Sequence, residues 1–149
     1  MVQLPTNVID RRFERAGVFH LADDVGKTIY IRSIFLQGLL LMSSDTLPEH
    51  MQFAETVLKR LNSLAHDIGL NIKELCIGYI KNAFPHARLI FGAETLAQVK
   101  ENLKCWNVAG SNDLTKKIQL EFNDANEIIL NPSLWPKGFA NVQRANEVQ

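Results

Sequence analysis

Four histidines, two cysteines and two tyrosines are the side chains of this sequence best suited to act as metal ligands, nucleophiles or proton donors. Their spacing speaks against most of that chemistry. A helical metal site needs two histidines a turn apart, as in HxxxH or HExxH, so that both imidazoles face one ion. His20, His50, His66 and His86 show neither spacing, and no metal is expected. Cys76 and Cys105 form neither a CxxC pair nor a metal-type cluster. One stretch has a stricter local order. Arg88 to Phe91 is a brief apolar strand that ends at Gly92, and Thr95 with Gln98 then caps a helix bearing Leu96, Val99 and Leu103.

The elements that must position these residues alternate along the chain. Val2 to Leu4 starts as an extended apolar segment, Pro5 withdraws a backbone donor, and a turn follows at Thr6 and Asn7. From Asp10 to Asp24 the residues Phe13, Ala16, Val18, Phe19 and Leu21 fit one helix loosely, with Gly17 as an internal weak point and Gly26 as its stop. Lys27 to Phe35 is nearly continuous in β-branched, aromatic and other apolar residues, which suits a central parallel strand buried on both faces.

After a loop through Asp45 and Pro48, the residues Phe53, Val57, Leu58, Leu61, Leu64, Ala65 and Ile68 recur at helical spacing until Gly69 stops the run. Asn71 and Glu74 make a capping box for the next helix, with Leu75, Cys76, Tyr79, Ile80 and Ala83 on one face up to Pro85. Cys76 is on this reading a core residue. Ser111 opens a further helix to about Phe122, while the remainder, with Asn131, Pro132, Trp135 and Pro136, reads as an irregular tail, with residues 137–149 flexible. Strands alternating with helices imply one α/β domain of parallel strands joined by right-handed crossovers.

Composition narrows the partners. Lys plus Arg and Asp plus Glu balance at 16 each, so no excess field gathers nucleic acid or an anionic membrane. The longest apolar stretch, Ser33 to Met42, is broken by Gln37 and Gly38 and is about half the ~20 residues that a membrane-spanning helix needs. The chain shows no basic-then-apolar leader, and a cytoplasmic, reduced protein is the expectation.

Three consecutive segments carry a family resemblance: QLPTNVIDRRF (Gln3 to Phe13), IRSIFLQGLLL (Ile31 to Leu41) and LIFGAETLAQVKENL (Leu89 to Leu103). They resemble, in order and spacing, the sixth, seventh and eighth strand regions of aldo-keto reductases, and NPSLWP (Asn131 to Pro136) resembles the end of bacterial members. The resemblance implies a partial (β/α)8 TIM barrel made of about the last three β/α units. It also implies NADPH or NADH as cofactor, and reversible hydride transfer to an aldehyde or ketone. A complete barrel takes roughly 250 residues. About five strands of one are expected to be missing here, together with the Asp, Tyr, Lys and His tetrad that lies on the earlier strands. No catalytic residue is therefore assigned, and Tyr30 and Tyr79 are not substitutes.

The resemblance does assign cofactor-binding residues. Gln3 matches the sixth-strand glutamine that bonds the nicotinamide carboxamide, a role needing both a donor and an acceptor; taken alone it reads as a strand-end glutamine bonded to backbone. Arg32 falls where many members place an aromatic residue under the nicotinamide ring, and a planar guanidinium can stack there; alone, it is a surface arginine. Ser33, Phe35, Leu36, Gln37 and Gly38 match the segment that meets the pyrophosphate. Gly92, Ala93, Glu94, Thr95, Gln98, Glu101 and Asn102 match the segment that holds the adenosine half, where a helix N-terminus favours phosphate. Gln98 stands where animal members often have an arginine beside the adenine, yet it also completes a capping box with Thr95. No Lys or Arg lies between Gly92 and Thr95 to meet a 2′-phosphate, and Glu94 would repel one, so these residues do not secure NADPH over NADH.

Three parallel strands without the rest of a barrel leave two open edges, and an uncovered face is expected at strand residues such as Ile29 and Ile31. The expected partners are a second copy, which is favoured, or a complementing N-terminal half-barrel. Two functions follow. The chain is an oxidoreductase segment, not catalytic alone, or it is a nucleotide-binding or oligomerisation module derived from the family.

Overall fold

Parallel pairing brings three short strands into one sheet, β1 (Val2–Pro5), β2 (Ile29–Arg32) and β3 (Arg88–Leu89), in the order β1-β2-β3. A computed structural model describes residues 1–107 and 112–136. The register sets Gln3 beside Tyr30 beside Arg88, and Leu4 beside Ile31 beside Leu89. Successive side chains of a strand point to opposite faces, so each row belongs to one side. Leu4, Ile29 and Ile31 are buried, whereas Gln3, Arg32 and Arg88 are exposed and Tyr30 is half-buried.

This corrects two expectations for β2. The strand is four residues long instead of spanning Lys27 to Phe35, because the backbone turns left-handed at Ser33 (φ 60°), Leu36 (φ 47°) and Gln37 (φ 53°). It is also buried on one face only. The open face of the sheet is not the apolar row of Ile29 and Ile31 but the polar row of Gln3, Tyr30, Arg32 and Arg88. Arg88 sits over the Tyr30 ring at 5.7 Å and donates to its hydroxyl at 3.2 Å. Among the described residues the outer edges of β1 and β3 pair with nothing.

Asn7 ties the sheet's C-terminal end together. Its Oδ1 accepts from the Ile9 and Asp10 amides, and its Nδ2 donates to the Ser33 carbonyl at 3.1 Å. The helix expected from Asp10 to Asp24 is two pieces, α1 (Arg12–Arg15) and α2 (Val18–Asp24), broken where Gly17 takes φ 70°. Past β2, short 3-10 turns lead into α3 (Glu55–Asp67), which buries Val57, Leu58, Leu61 and Ala65 and ends at Gly69 in the left-handed region. α4 (Ile72–Ala83) starts with the full Asn71–Glu74 capping box.

β3 is shorter than expected, although the Ile90 amide still donates to the Ile31 carbonyl at 2.8 Å. α5 (Leu96–Asn107) then buries Asn102 and Cys105 and turns its apolar residues outward, Leu96 being 68% and Leu103 54% exposed. α6 (Asn112–Glu121) follows; Ser111, its expected first residue, lies outside the described residues, as do residues 137–149. The expected irregular tail instead contains α7 (Glu127–Leu130), capped by the Asn126 side chain and burying Ile129 and Leu130. Trp135 Nε1 donates to the Ile129 carbonyl at 3.3 Å.

At the edge of the core, Glu14 of α1 accepts from three side chains: from Arg11 Nε, from the Tyr79 hydroxyl of α4 at 2.9 Å and from Gln119 Nε2 of α6 at 2.6 Å. Burial, reinforced by Glu14, pushes the Tyr79 phenol well above its ordinary value, so it keeps its proton. Cys76 is buried and its thiol is pushed up to about 12; burial raises Cys105 as well. Neither thiol is expected to react with a water-soluble disulfide reagent at pH 8 until the protein is unfolded. An unfolded thiol loses its proton near 8.5, while the folded Cys76 holds it. Stability that is whole below about pH 8.5 is therefore lost as pH climbs towards 12. Urea midpoints at pH 8 and pH 10 check this, and Cys76→Ala should flatten that slope.

Candidate functional site

Two clefts of similar size open at opposite ends of the sheet. One, of about 630 Å³, lies at the start of the strands beside Ile29, Phe84 and His86. The other, of about 710 Å³, opens just beyond their C-terminal ends, between the turn after β2 and the turn after β3. In α/β sheets ligands sit at the C-terminal ends of strands, where loops are free to vary and helix N-termini converge. The second cleft is the candidate site.

Its walls come from local sequence in a direct way. Arg32 ends β2, and the left-handed residues that follow coil the chain so that Ser33, Phe35, Gln37 and Gly38 face the cleft. The Leu36 amide donates to the Ser33 carbonyl and the Gly38 amide to the Phe35 carbonyl, both at 2.9 Å, so the turn itself uses these two donors. On the other wall Gly92, Ala93 and Glu94 form the turn, and Gln98 and Asn102 follow on α5. The Thr95–Gln98 capping box is present, with the Gln98 amide donating to Thr95 Oγ1 at 3.2 Å. Gln98 Oε1 in turn accepts from the Glu94 amide at 2.7 Å and the Thr95 amide at 3.4 Å.

Nine of the sequence-derived residues thus line one cleft, and five do not. Leu36 is buried in the core and Thr95 caps its helix. Gln3 and Arg32 stand on the open polar face of the sheet, where Arg32 donates to Ser33 Oγ at 3.3 Å. Glu101 pairs with Lys73 of α4. Lys73 itself lines the cleft, as do Ile34, Leu41, Ile90 and Phe91, none of which the sequence had marked. A lysine in the first turn of a helix looks like any solvated residue. Only the packing of α4 beside α5 places this one at a cleft.

Asn102 is the most informative side chain. It is 3% exposed, and its Oδ1 has no hydrogen-bond partner among the described residues. A buried acceptor left unpaired costs about 1–3 kcal/mol. Its position on the cleft wall identifies where a partner would come from. No three of His, Cys, Asp or Glu converge into a metal-holding group among the described residues. Tyr79 lies in the core and Tyr30 beside Arg88, and neither lines this cleft. No helix among the described residues is long and apolar enough to cross a membrane.

A parallel sheet flanked by helices, with its cleft beyond the strand ends, is one sector of a β/α barrel. The chain belongs to the aldo/keto reductase family, whose sequence profile matches residues 1–119. Among solved structures it is similar to a thermostable aldo-keto reductase crystallised with the inhibitor epalrestat, at 22% identity and a TM-score of 0.58. That match covers 80% of this chain and 38% of the other, so the chain spans well under half of that relative's length. No curated relative matches it by sequence.

Proposed function

We propose that these residues form the cofactor-side part of an NAD(P)H-dependent carbonyl-reducing site and bind the dinucleotide without being catalytic alone. The observation that carries this reading is the buried, unpartnered Oδ1 of Asn102 on a cleft lined by Gly92, Ala93, Glu94 and Gln98. An adenine amino group is a donor that would satisfy it. The turn after β2 would meet the pyrophosphate, and Gln3 and Arg32, on the open sheet face, would meet the nicotinamide. The chemistry such a cofactor supplies is hydride transfer to an aldehyde or ketone. The acid–base groups of that reaction would be supplied by polypeptide other than these residues.

A protein partner is part of the proposal. The open edges of β1 and β3 and the exposed stripe of Leu96, Val99 and Leu103 support cover by a second copy or by a complementing half-barrel. They also favour the second reading, an oligomerisation module without a ligand. Calorimetric titration of NADH and NADPH, with light scattering on the same sample, separates the two. Dissociation constants on the order of micromolar are expected for at least one cofactor. A well-folded oligomer that binds neither would leave the oligomerisation module as the better account.

A further inference from the structure

We infer that this cleft selects a dinucleotide without a 2′-phosphate, with the Glu94 carboxylate accepting a hydrogen bond from a hydroxyl of the adenosine ribose. The inference rests on the proposed dinucleotide site and deepens it.

A 2′-phosphate carries close to two negative charges and needs either a cation or free N–H donors to replace its water. Among the described residues the cleft offers no cation without a partner. Its lining, among the described residues, contains one cation, Lys73, and one carboxylate, Glu94. The Lys73 ammonium is already paired with Glu101 across the gap between α4 and α5. Moving it onto a phosphate would only exchange one anion for another, leaving Glu101 unneutralised. Glu94 has no ion-pair partner among the described residues.

Two of the backbone donors of this turn are also committed. A helix N-terminus attracts phosphate through amides that point outward unpaired, but the Glu94 and Thr95 amides both donate to Gln98 Oε1. The turn after β3 thus places the Glu94 carboxylate, an acceptor that repels a phosphate, on the cleft wall. An unmodified ribose has hydroxyl donors, and a carboxylate takes a hydroxyl proton in a charge-assisted hydrogen bond. An acidic residue that bonds a ribose 2′-hydroxyl is the usual mark of a site for the unphosphorylated dinucleotide. That a nucleoside lies here at all is supported independently by Asn102, which is more than nine-tenths buried with its unpartnered oxygen on the same wall.

The test is calorimetric titration of the full chain with NADH and NADPH, and with AMP and adenosine 2′,5′-bisphosphate as probes of the adenosine half alone. The unphosphorylated member of each pair is expected to bind at least about tenfold more tightly. Glu94→Gln should shrink that ratio, and Glu94→Arg should reverse it. NADPH binding as tightly as NADH would overturn the selectivity while leaving dinucleotide binding in place. An unchanged ratio in Glu94→Gln would overturn the role of Glu94, and so would a Lys73→Ala variant that loses NADPH affinity alone. Failure of a folded protein to bind any of the four would overturn the underlying site as well.

Discussion

Replacing Glu14 with alanine is expected to destabilise the protein by about 3–5 kcal/mol. The carboxylate is the acceptor shared by Arg11, Tyr79 and Gln119, so it joins α1, α4 and α6 through one side chain. The Glu14 side chain is 17% and that of Arg11 7% exposed; Glu14 lies on the wall of the cleft at the start of the strands, and the Arg11 guanidinium is the more enclosed of the two. Removing Glu14 leaves a guanidinium in the interior without its counter-charge, and that penalty exceeds the net worth of the pair. A domain of this size has a stability of only about 5–15 kcal/mol, so the variant should unfold at far lower urea or fail to fold. Tyr79→Phe is the milder control, since it removes one donor and leaves Arg11 and Gln119 on the carboxylate; about 1 kcal/mol is expected. A loss below about 1 kcal/mol in Glu14→Ala would mean that this cluster does not hold the three helices.

Where the sequence was legible, the cause was local. The capping box of α4 needs only Asn71 and Glu74, and the stop of α3 needs only Gly69, because a residue three positions away or a missing Cβ decides each. The turn from Gly92 to Asn102 could be read for the same reason, as strand, turn and helix follow in one continuous segment. β2 was misjudged because its end is set by left-handed backbone at Ser33, Leu36 and Gln37, none of them glycine. Residue type gives no warning there.

Periodicity fails differently in α5. The spacing of Leu96, Val99 and Leu103 correctly marks a helix with an apolar face, but a period cannot say whether another element covers that face. The open face of the sheet was misread for a related reason: alternation in β2 is nearly hidden because Tyr30 is apolar enough to pass as core. The contacts that matter most for charge, Lys73 with Glu101 and Glu14 with Tyr79 and Gln119, join residues from different helices. No local pattern announces them. Gln3 and Arg32 could be singled out only through the family resemblance, since each alone is an ordinary polar strand residue.

Asn102→Leu should move binding and stability in opposite directions, which separates a ligand-facing polar group from a structural one. In the folded chain the Asn102 oxygen is desolvated without a partner, so an apolar side chain of similar size removes a penalty of about 1–3 kcal/mol. Part of that gain is offset by strain from the altered shape. The unfolding midpoint of the unliganded variant is thus expected to stay level or rise. Dinucleotide affinity is expected to fall about 10- to 100-fold, because the adenine donor would then meet hydrocarbon and its own desolvation would go uncompensated. Thermal unfolding and calorimetry on one preparation measure both quantities. If Asn102→Leu instead lowered stability by more than about 2 kcal/mol while leaving affinity unchanged, the amide would be serving the α4–α5 packing. The adenosine site would then lose its central support. A stable variant that no longer binds would tie the buried acceptor to the ligand, since a functional role is one of the reasons for which a native core retains an unsatisfied group.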